Sequence, residues 1–272
     1  MICYNAKKYQ VLFNENEIRR IEEKYRIKCL YGGFVGSNVY GTANASSDYD
    51  FDFVYYYNDP NNVLDKIHDT SLSEKIDFNG FNLDASTKKA ALCIEKISKF
   101  PSFYSPQRCG PTEDIETDYL IFTSDYIWDS GYLANSMHAI LNQMYGILIL
   151  DHYFNRAAGN LEKNLSKDFV STKRVIQTVL GINSMEWILA DHTFPYLSFS
   201  EMTRLFHCND MANEIFKILE KHQSYQKSTE PSTIPCNKEL NTYLYQKIKD
   251  IEKKINKLPP KTFRISISPK SF

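Results

Sequence analysis

The 272-residue chain lacks several patterns that would place it in a common class of protein. No hydrophobic run approaches the roughly 20 residues that span a bilayer, and the N-terminus has no hydrophobic signal-peptide segment. The sequence also has no Gly-Lys-Ser phosphate loop and no Gly-x-Ser-x-Gly nucleophile turn. We therefore expect a soluble, cytoplasmic protein that does not bind a membrane.

Zinc and disulfide patterns are missing as well. The six cysteines include no Cys-x-x-Cys spacing, and none of the six histidines forms a His-x3-His pair. Scattered cysteines are typical of reduced thiols, whereas a zinc hydrolase needs His or Cys ligands at defined spacing. We expect neither a zinc site nor a disulfide framework.

A net charge of −1 hides an uneven distribution. From residue 236 onward, nine Lys or Arg stand against three Asp or Glu; this balance of +6 leaves −7 for residues 1–235. A basic end on an acidic body is typical of a protein with a polyanion partner, and equally of the solvated face of an amphipathic helix. The sequence leaves both interpretations open.

Residues 36–53 carry the pattern with the most chemical information. After a Gly36-Ser37 turn, three aspartates alternate with three aromatic residues: Asp48, Asp50 and Asp52 against Tyr49, Phe51 and Phe53. Because side chains two apart in a strand share a face, the carboxylates should lie on one side and the aromatic rings on the other. A row of like charges costs stability unless a cation neutralises it.

Together, the turn and the aspartates predict a metal-dependent site for a nucleoside triphosphate. Mg²⁺ prefers oxygen ligands, and substrate phosphates often complete its shell. A glycine turn lets backbone N–H groups approach a phosphate, and the Ser37 hydroxyl can bind its oxygens. The alternative is an Asp-rich loop that leads into an edge strand.

Other patterns predict the surrounding elements. Asn79-Gly80 favours a two-residue hairpin turn with one apolar face of Ile76, Phe78, Phe81 and Leu83, and one polar face of Lys75, Asp77, Asn82 and Asp84. Strands are predicted over 28–35 and 48–57, and the C-terminal half is predicted to be helical. The predicted helices lie at 15–26, 87–98, 133–148, 175–188, around 202–206, around 215–219, and at 237–257.

The spacing Gly36-Ser37-x3-Gly41-Thr42-x4-Ser47-Asp48-x-Asp50 resembles the signature of the DNA polymerase β superfamily of nucleotidyltransferases, in the form of its bacterial RNA-repair-associated branch. The resemblance covers the first hundred residues and continues weakly to Asp151-His152-Tyr153-Phe154 and Lys173-Arg174. It implies an α+β fold: a small mixed β-sheet nucleotidyltransferase domain with flanking helices over 1–110. An α-helical domain with a basic C-terminal helix would follow over 111–272.

This resemblance also implies a reaction and a set of metal ligands. A nucleoside monophosphate would pass from a nucleoside triphosphate to a hydroxyl group, with Mg²⁺ or Mn²⁺ held by Asp48, Asp50 and a third carboxylate on a neighbouring strand. Asp84 is our candidate for the third ligand and Asp77 is the alternative. Asp84 could instead mark the start of the predicted helix over 87–98.

Substrate contacts are expected from both halves of the chain. Gly36, Ser37 and Asn38 would bind the phosphates, and Lys173 and Arg174 would offset the developing negative charge. Arg156 is a further candidate for this role, but we favour its interpretation as an ordinary charge on a helix surface.

The acceptor could be an RNA or tRNA end, a protein side chain or a small hydroxylated molecule. A nucleotide-binding regulator or toxin–antitoxin component with the same fold and little turnover is the alternative function.

Overall fold

The computed structural model describes residues 15–57, 66–73, 75–83, 127–129, 147–165, 167–191, 198–225 and 232–257. Several expectations fall outside these ranges: Asp84, the helix over 87–98, most of the helix over 133–148, and the domain boundary near residue 110. They stay predictions. Within the described residues, no helix is both long and apolar enough to cross a bilayer.

The first part of the chain forms one mixed sheet. Its elements are α1 (Glu15–Tyr25), β1 (Ile27–Val35), α2 (Ser37–Tyr40), β2 (Tyr49–Tyr57), β3 (Lys66–Asp69), β4 (Ile76–Asn82) and β5 (Ile127–Asp129). The strand order is β3-β4-β2-β1-β5, in which β2 and β4 are parallel and every other neighbouring pair is antiparallel. The sequence predicts α1, β1, β2 and the turn between them correctly.

Strand β2 separates its side chains as the alternation predicts. Phe51 and Phe53 are fully buried in a core with Ile18 and Ile21 of α1. Asp52 and its neighbour Asp50 belong to the opposite face of the strand, because side chains two apart point the same way. One face of the sheet is therefore apolar beneath α1, and the other carries the carboxylates.

The predicted hairpin at Asn79-Gly80 is wrong. Strand β4 runs through both residues without a turn and pairs with β2 in parallel and with β3 in the antiparallel direction. Gly80 is needed for packing: a Cβ atom there would lie 2.5 Å from Cζ of Phe53. Because the strand continues, Phe81 falls on the face opposite Phe78 and packs in a different core.

The second part is helical, as predicted. It contains α3 (Ile147–Leu165), β6 (Phe169–Ser171), α4 (Thr172–Asp191), α5 (Phe199–Phe206), α6 (Asn209–Gln223), β7 (Thr233–Pro235) and α7 (Lys238–Ile255), and β6 pairs with β7. Helix α4 packs against α3, α5, α6 and α7. Buried residues along α4, among them Val179, Ile182 and Met185, place it at the centre of this half.

A continuous apolar core joins the helices to the sheet. Tyr31 and Val35 of β1 and Val54 of β2 pack in one cluster with Tyr153 of α3 and Leu180 of α4. Val54 shares the face of Asp50 and Asp52, so α3 and α4 cover the carboxylate face of the sheet. The described residues therefore form an α+β fold with helices on both faces of the sheet.

Candidate active site

The Gly36-Ser37 turn lies directly against the aspartate strand. Gly36 has φ +76°, a conformation that only glycine adopts without strain. A Cβ atom on Gly36 would overlap Oδ2 of Asp50. The glycine thus brings the backbone of the turn to a carboxylate, and Ser37 begins the one-turn helix α2.

The loop that leads to Asp48 is held by its own side chains. Oδ1 of Asn44 accepts hydrogen bonds from the backbone N–H of Ser46 at 2.9 Å and from the Ser47 hydroxyl at 3.1 Å. From the turn, Nδ2 of Asn38 donates to the Asp48 carbonyl at 2.9 Å. These bonds fix the backbone of Asp48 relative to the Gly36-Ser37 turn.

The carboxylates of Asp48 and Asp77 interact electrostatically with that of Asp50. Asp77 of β4 stands opposite Asp50 of β2 in the parallel register. Burial raises the pKa of Asp50, and the neighbouring Asp77 and Asp48 raise it further, whereas Lys173 opposes the shift. The carboxylates therefore form a partly desolvated cluster of like charge, which a cation would stabilise.

Asp52 is held in place by strands β4 and β3. Its side chain is buried, and its Oδ1 accepts a hydrogen bond from Nδ2 of Asn79 at 2.9 Å. Nδ1 of His68 lies 2.8 Å from Oδ1 of the same amide. Since that amide oxygen only accepts, His68 donates and the chain His68–Asn79–Asp52 is ordered.

A cavity of about 530 Å³ is lined by residues from both halves of the chain. The sheet side supplies the turn and carboxylates: Gly36, Ser37, Asp48, Asp50, Asp52 and Asp77. On the helical side, α4 contributes Lys173, Ile176, Gln177 and Leu180 at the spacing of one helix face. Arg156 of α3 and His222 of α6 complete that wall.

The structure brings most of the predicted site residues together. Gly36, Ser37, Asp48, Asp50 and Lys173 all line the cavity. The other two predicted substrate-binding residues, Asn38 and Arg174, are not among its lining residues, although Asn38 holds the loop beside it.

Among the polar cavity residues that the sequence did not predict as site residues are Asn79, Gln177 and His222, and Arg156 lines the cavity although an ordinary surface charge was the favoured interpretation of it. Gln177 could have been found, because it lies one helical turn after Lys173. Nothing in the spacing of Arg156 or His222 points to the cavity, since both come from helices more than one hundred residues beyond the aspartates.

A comparison with known protein families finds a match that covers the sheet side of the cavity. Residues 13–91 match the family model described as RlaP, the RNA repair pathway DNA polymerase beta family. The RlaP segment contains α1, the turn, β2 and β4, and therefore every carboxylate of the cavity. This family lies within a superfamily of nucleotidyltransferases. No curated protein matches the chain significantly.

The carboxylates within residues 13–91 fit a divalent cation. Among the described residues, no group of three or more His, Cys, Asp or Glu side chains is arranged to hold a metal ion by itself. A complete cage is unnecessary for Mg²⁺, which keeps several water molecules and binds one or two carboxylates together with substrate phosphates. Burial is the main cause of the raised pKa of Asp50, and repulsion from Asp77 and Asp48 adds to it; a bound cation would relieve that repulsion.

Proposed function

We propose that the protein transfers a nucleoside monophosphate from a nucleoside triphosphate to a hydroxyl group. The observation that carries this proposal is the contact between Gly36 and the carboxylate of Asp50. Because of this contact, a turn that can bind phosphate and a carboxylate that can bind a cation line the same cavity. The RlaP match over this segment supports the same chemistry.

Each group on the sheet side has a role that follows from its position. The Ser37 hydroxyl and nearby backbone N–H groups of the turn would bind the phosphates. Asp48, Asp50 and Asp77 would hold Mg²⁺ or Mn²⁺. Such an ion, when bound, supplies Lewis acidity that favours a deprotonated acceptor hydroxyl and offsets phosphate charge. Lys173, whose charge already acts on Asp50, would neutralise negative charge from the opposite wall.

Asp77 is the third carboxylate that the geometry supports. It lies beside Asp50 on the neighbouring parallel strand, lines the cavity and raises the pKa of Asp50. Asp84, the candidate favoured by the resemblance, lies outside the described residues. An Asp77→Asn variant should therefore lose metal-dependent activity.

We propose an RNA end as the acceptor, because the RlaP family is associated with RNA repair. The basic helix α7 adds little support for it. Lys247 and Lys254 pair with Glu186, and Lys249 and Lys253 pair with acids of their own helix. Leu244 and Ile251 of α7 are fully buried, so this helix is a part of the core.

Nucleotide transfer can be tested directly. The protein would be incubated with each α-³²P-labelled ribonucleoside triphosphate, Mg²⁺, short RNA and cell extract, beside Asp48→Ala/Asp50→Ala. We expect label on a macromolecule with the intact protein alone, and the labelled product identifies the base and the acceptor. Metal-dependent triphosphate binding without transfer would favour the nucleotide-binding regulator or toxin–antitoxin component.

Thermal stability provides the control for the double variant. Because the folded protein raises the pKa of Asp50, the charged carboxylate destabilises it at neutral pH in the absence of a cation. Removing the charge should leave Tm unchanged or raise it slightly. A large fall in Tm would mean that the aspartates hold the fold, and the loss of activity would then not identify a catalytic role.

A further inference from the structure

His222 is a cavity residue for which the proposed transfer reaction has no assigned use. It lies in the last turn of α6, lines the cavity and is only 8% exposed. Its Nδ1 atom lies 3.0 Å from the hydroxyl of Thr172, the fully buried first residue of α4. The imidazole ring is therefore anchored at one nitrogen.

The hydrogen bonds of Thr172 fix the tautomer of His222. The Thr172 hydroxyl also lies 3.3 Å from the carbonyl oxygen of Ser232, which can only accept. Because a hydroxyl has one proton, Thr172 donates it to Ser232 and accepts from Nδ1–H of His222. Burial and the nearby Lys173 charge lower the pKa of His222, which favours the neutral ring. A neutral ring protonated at Nδ1 has a free lone pair on Nε2.

Two observations place the His222 residue near the Gly36-Ser37 turn, the end of the cavity suited to phosphate. The adjacent Gln223 donates from Nε2 to the carbonyl oxygen of Gly41, 3.0 Å away, which ties α6 to the end of the Gly36-Ser37 turn. Lys173 affects the pKa values of both Asp50 and His222. His222 thus lies near Lys173, the residue whose positive charge also acts on Asp50.

The chemistry of Nε2 restricts what it can bind. An unprotonated nitrogen repels the oxygen atoms of a phosphate but accepts a hydrogen bond from a hydroxyl or amino group. In a nucleotide, the sugar follows the phosphates directly and carries hydroxyl donors, whereas the base lies farther away.

We propose that Nε2 of His222 accepts a hydrogen bond from a ribose hydroxyl of the bound nucleoside triphosphate. The inference rests on the proposed function, because it requires a nucleotide in the cavity. His222 would then select ribonucleotides over deoxyribonucleotides.

Two substitutions separate this role from a structural one. The amide nitrogen of His222→Asn can replace Nδ1 as the donor to Thr172, while the acceptor in the cavity is lost. His222→Gln places an amide oxygen close to the position of Nε2. Affinities would be measured by calorimetry for the four ribonucleoside triphosphates and their 2′-deoxy and 3′-deoxy forms, with Ca²⁺ in place of Mg²⁺ to limit turnover.

We expect the wild-type protein to bind the preferred ribonucleotide about 3- to 10-fold more tightly than one of its deoxy forms, the effect of one neutral hydrogen bond. His222→Asn should remove that difference, and His222→Gln should retain part of it. Which deoxy form binds weakly identifies the hydroxyl.

Three results would overturn the inference about His222. The first is equal affinity of the wild-type protein for the ribo and deoxy forms. The second is undiminished discrimination between these forms in a folded His222→Asn variant. The third is a His222→Asn variant that loses selectivity among the four bases but keeps its selectivity for the sugar. If His222→Asn does not fold, His222→Gln takes its place, and a ribo-to-deoxy ratio identical to that of the wild-type protein would overturn the inference. Absence of binding by every triphosphate would instead refute the proposed function.

Discussion

Gly36 and Gly41 bracket helix α2, and both have a positive φ angle, but their ψ angles differ: −152° at Gly36 and +25° at Gly41, which is left-handed helical backbone. Their φ angles are +76° and +72°. A Cβ atom on Gly36 would overlap the Asp50 carboxylate, whereas one on Gly41 would meet no atom within 4 Å. Gly41 therefore reports the cost of a left-handed backbone alone, whereas Gly36 combines a glycine-only backbone conformation with a close approach to a carboxylate.

We predict that Gly41→Ala lowers the free energy of unfolding by about 1–2 kcal/mol, the cost of a left-handed conformation for an L-residue. Gly36→Ala should cost more, because a φ of +76° with a ψ of −152° is a conformation that essentially only glycine adopts. It should also displace Asp50, so that metal-dependent triphosphate binding is lost. Urea denaturation and calorimetry with Ca²⁺ and a triphosphate would measure the two effects. Equal triphosphate affinity in the two variants would contradict a role for the Gly36–Asp50 contact.

Individual site residues were predictable where the signal lies within one short segment. Gly36, Ser37, Asp48 and Asp50 are close in sequence, and strand alternation gives the direction of the side chains. His222 enters the cavity only through the packing of α6 beside the turn, which no local pattern encodes. Within the described residues, the sheet side of the site was predictable and most of the helical side was not.

At the scale of elements, strand β4 depends on a glycine beneath two aromatic rings. A Cβ atom on Gly80 would lie 2.5 Å from Phe53 and 3.1 Å from Tyr55, and both rings are fully buried. Because both rings are surrounded by protein, neither can move aside to make room for a Cβ atom at Gly80. We predict that Gly80→Ala lowers the free energy of unfolding by about 1–3 kcal/mol through overpacking, as measured by urea denaturation.

Gly159 in helix α3 is the matched control for this substitution. A Cβ atom there would meet no atom within 4 Å. Because alanine favours a helix more than glycine does, Gly159→Ala should raise the free energy of unfolding by up to about 1 kcal/mol. Destabilisation of similar size in both variants would mean that the contact of Gly80 with Phe53 is not the cause.

The wrong hairpin at Asn79-Gly80 has the same physical origin. Local turn preference favours a reversal of the chain at this dipeptide. Instead, Gly80 makes room for the rings of β2, and Asn79 bonds to Asp52 across the parallel pair. Contacts with β2 thus determine the conformation of β4, and they are invisible in the sequence of β4 alone. Strand β4 still lies beside β2 and brings Asp77 opposite Asp50. The assignment of Asp77 as the third metal ligand stays a prediction.

At the scale of the whole molecule, part of the uneven charge of the sequence is paired locally within the described residues. Glu186 of α4 binds Lys247 and Lys254 of α7, and these lysines lower its pKa although burial opposes the shift. The excess of lysine near the C-terminus therefore partly serves to fasten α7 to α4. Of the two interpretations that composition left open, this packing favours the amphipathic helix.

The helical half also contains a buried histidine that links stability to pH. His207 lies between α5 and α6; its Nε2 is 2.7 Å from Oδ1 of Asn183, and its Nδ1 is 3.1 Å from the Tyr243 hydroxyl. Burial lowers the pKa of His207 to about 4, and the nearby Lys247 charge contributes while Glu186 opposes. The folded protein therefore keeps this ring neutral in mildly acidic solution.

We predict a loss of stability as pH falls from about 6.5 to about 4. In this window the unfolded chain takes up a proton on His207 that the folded chain does not, which costs up to about 3 kcal/mol. His207→Gln can keep the bond to Asn183 but has no ionisable group, so its stability should fall less over the same window. Urea denaturation of both proteins at several pH values isolates the contribution of His207, because all other titrating groups are shared. Parallel stability curves would show that His207 is already accessible to protons in the folded protein.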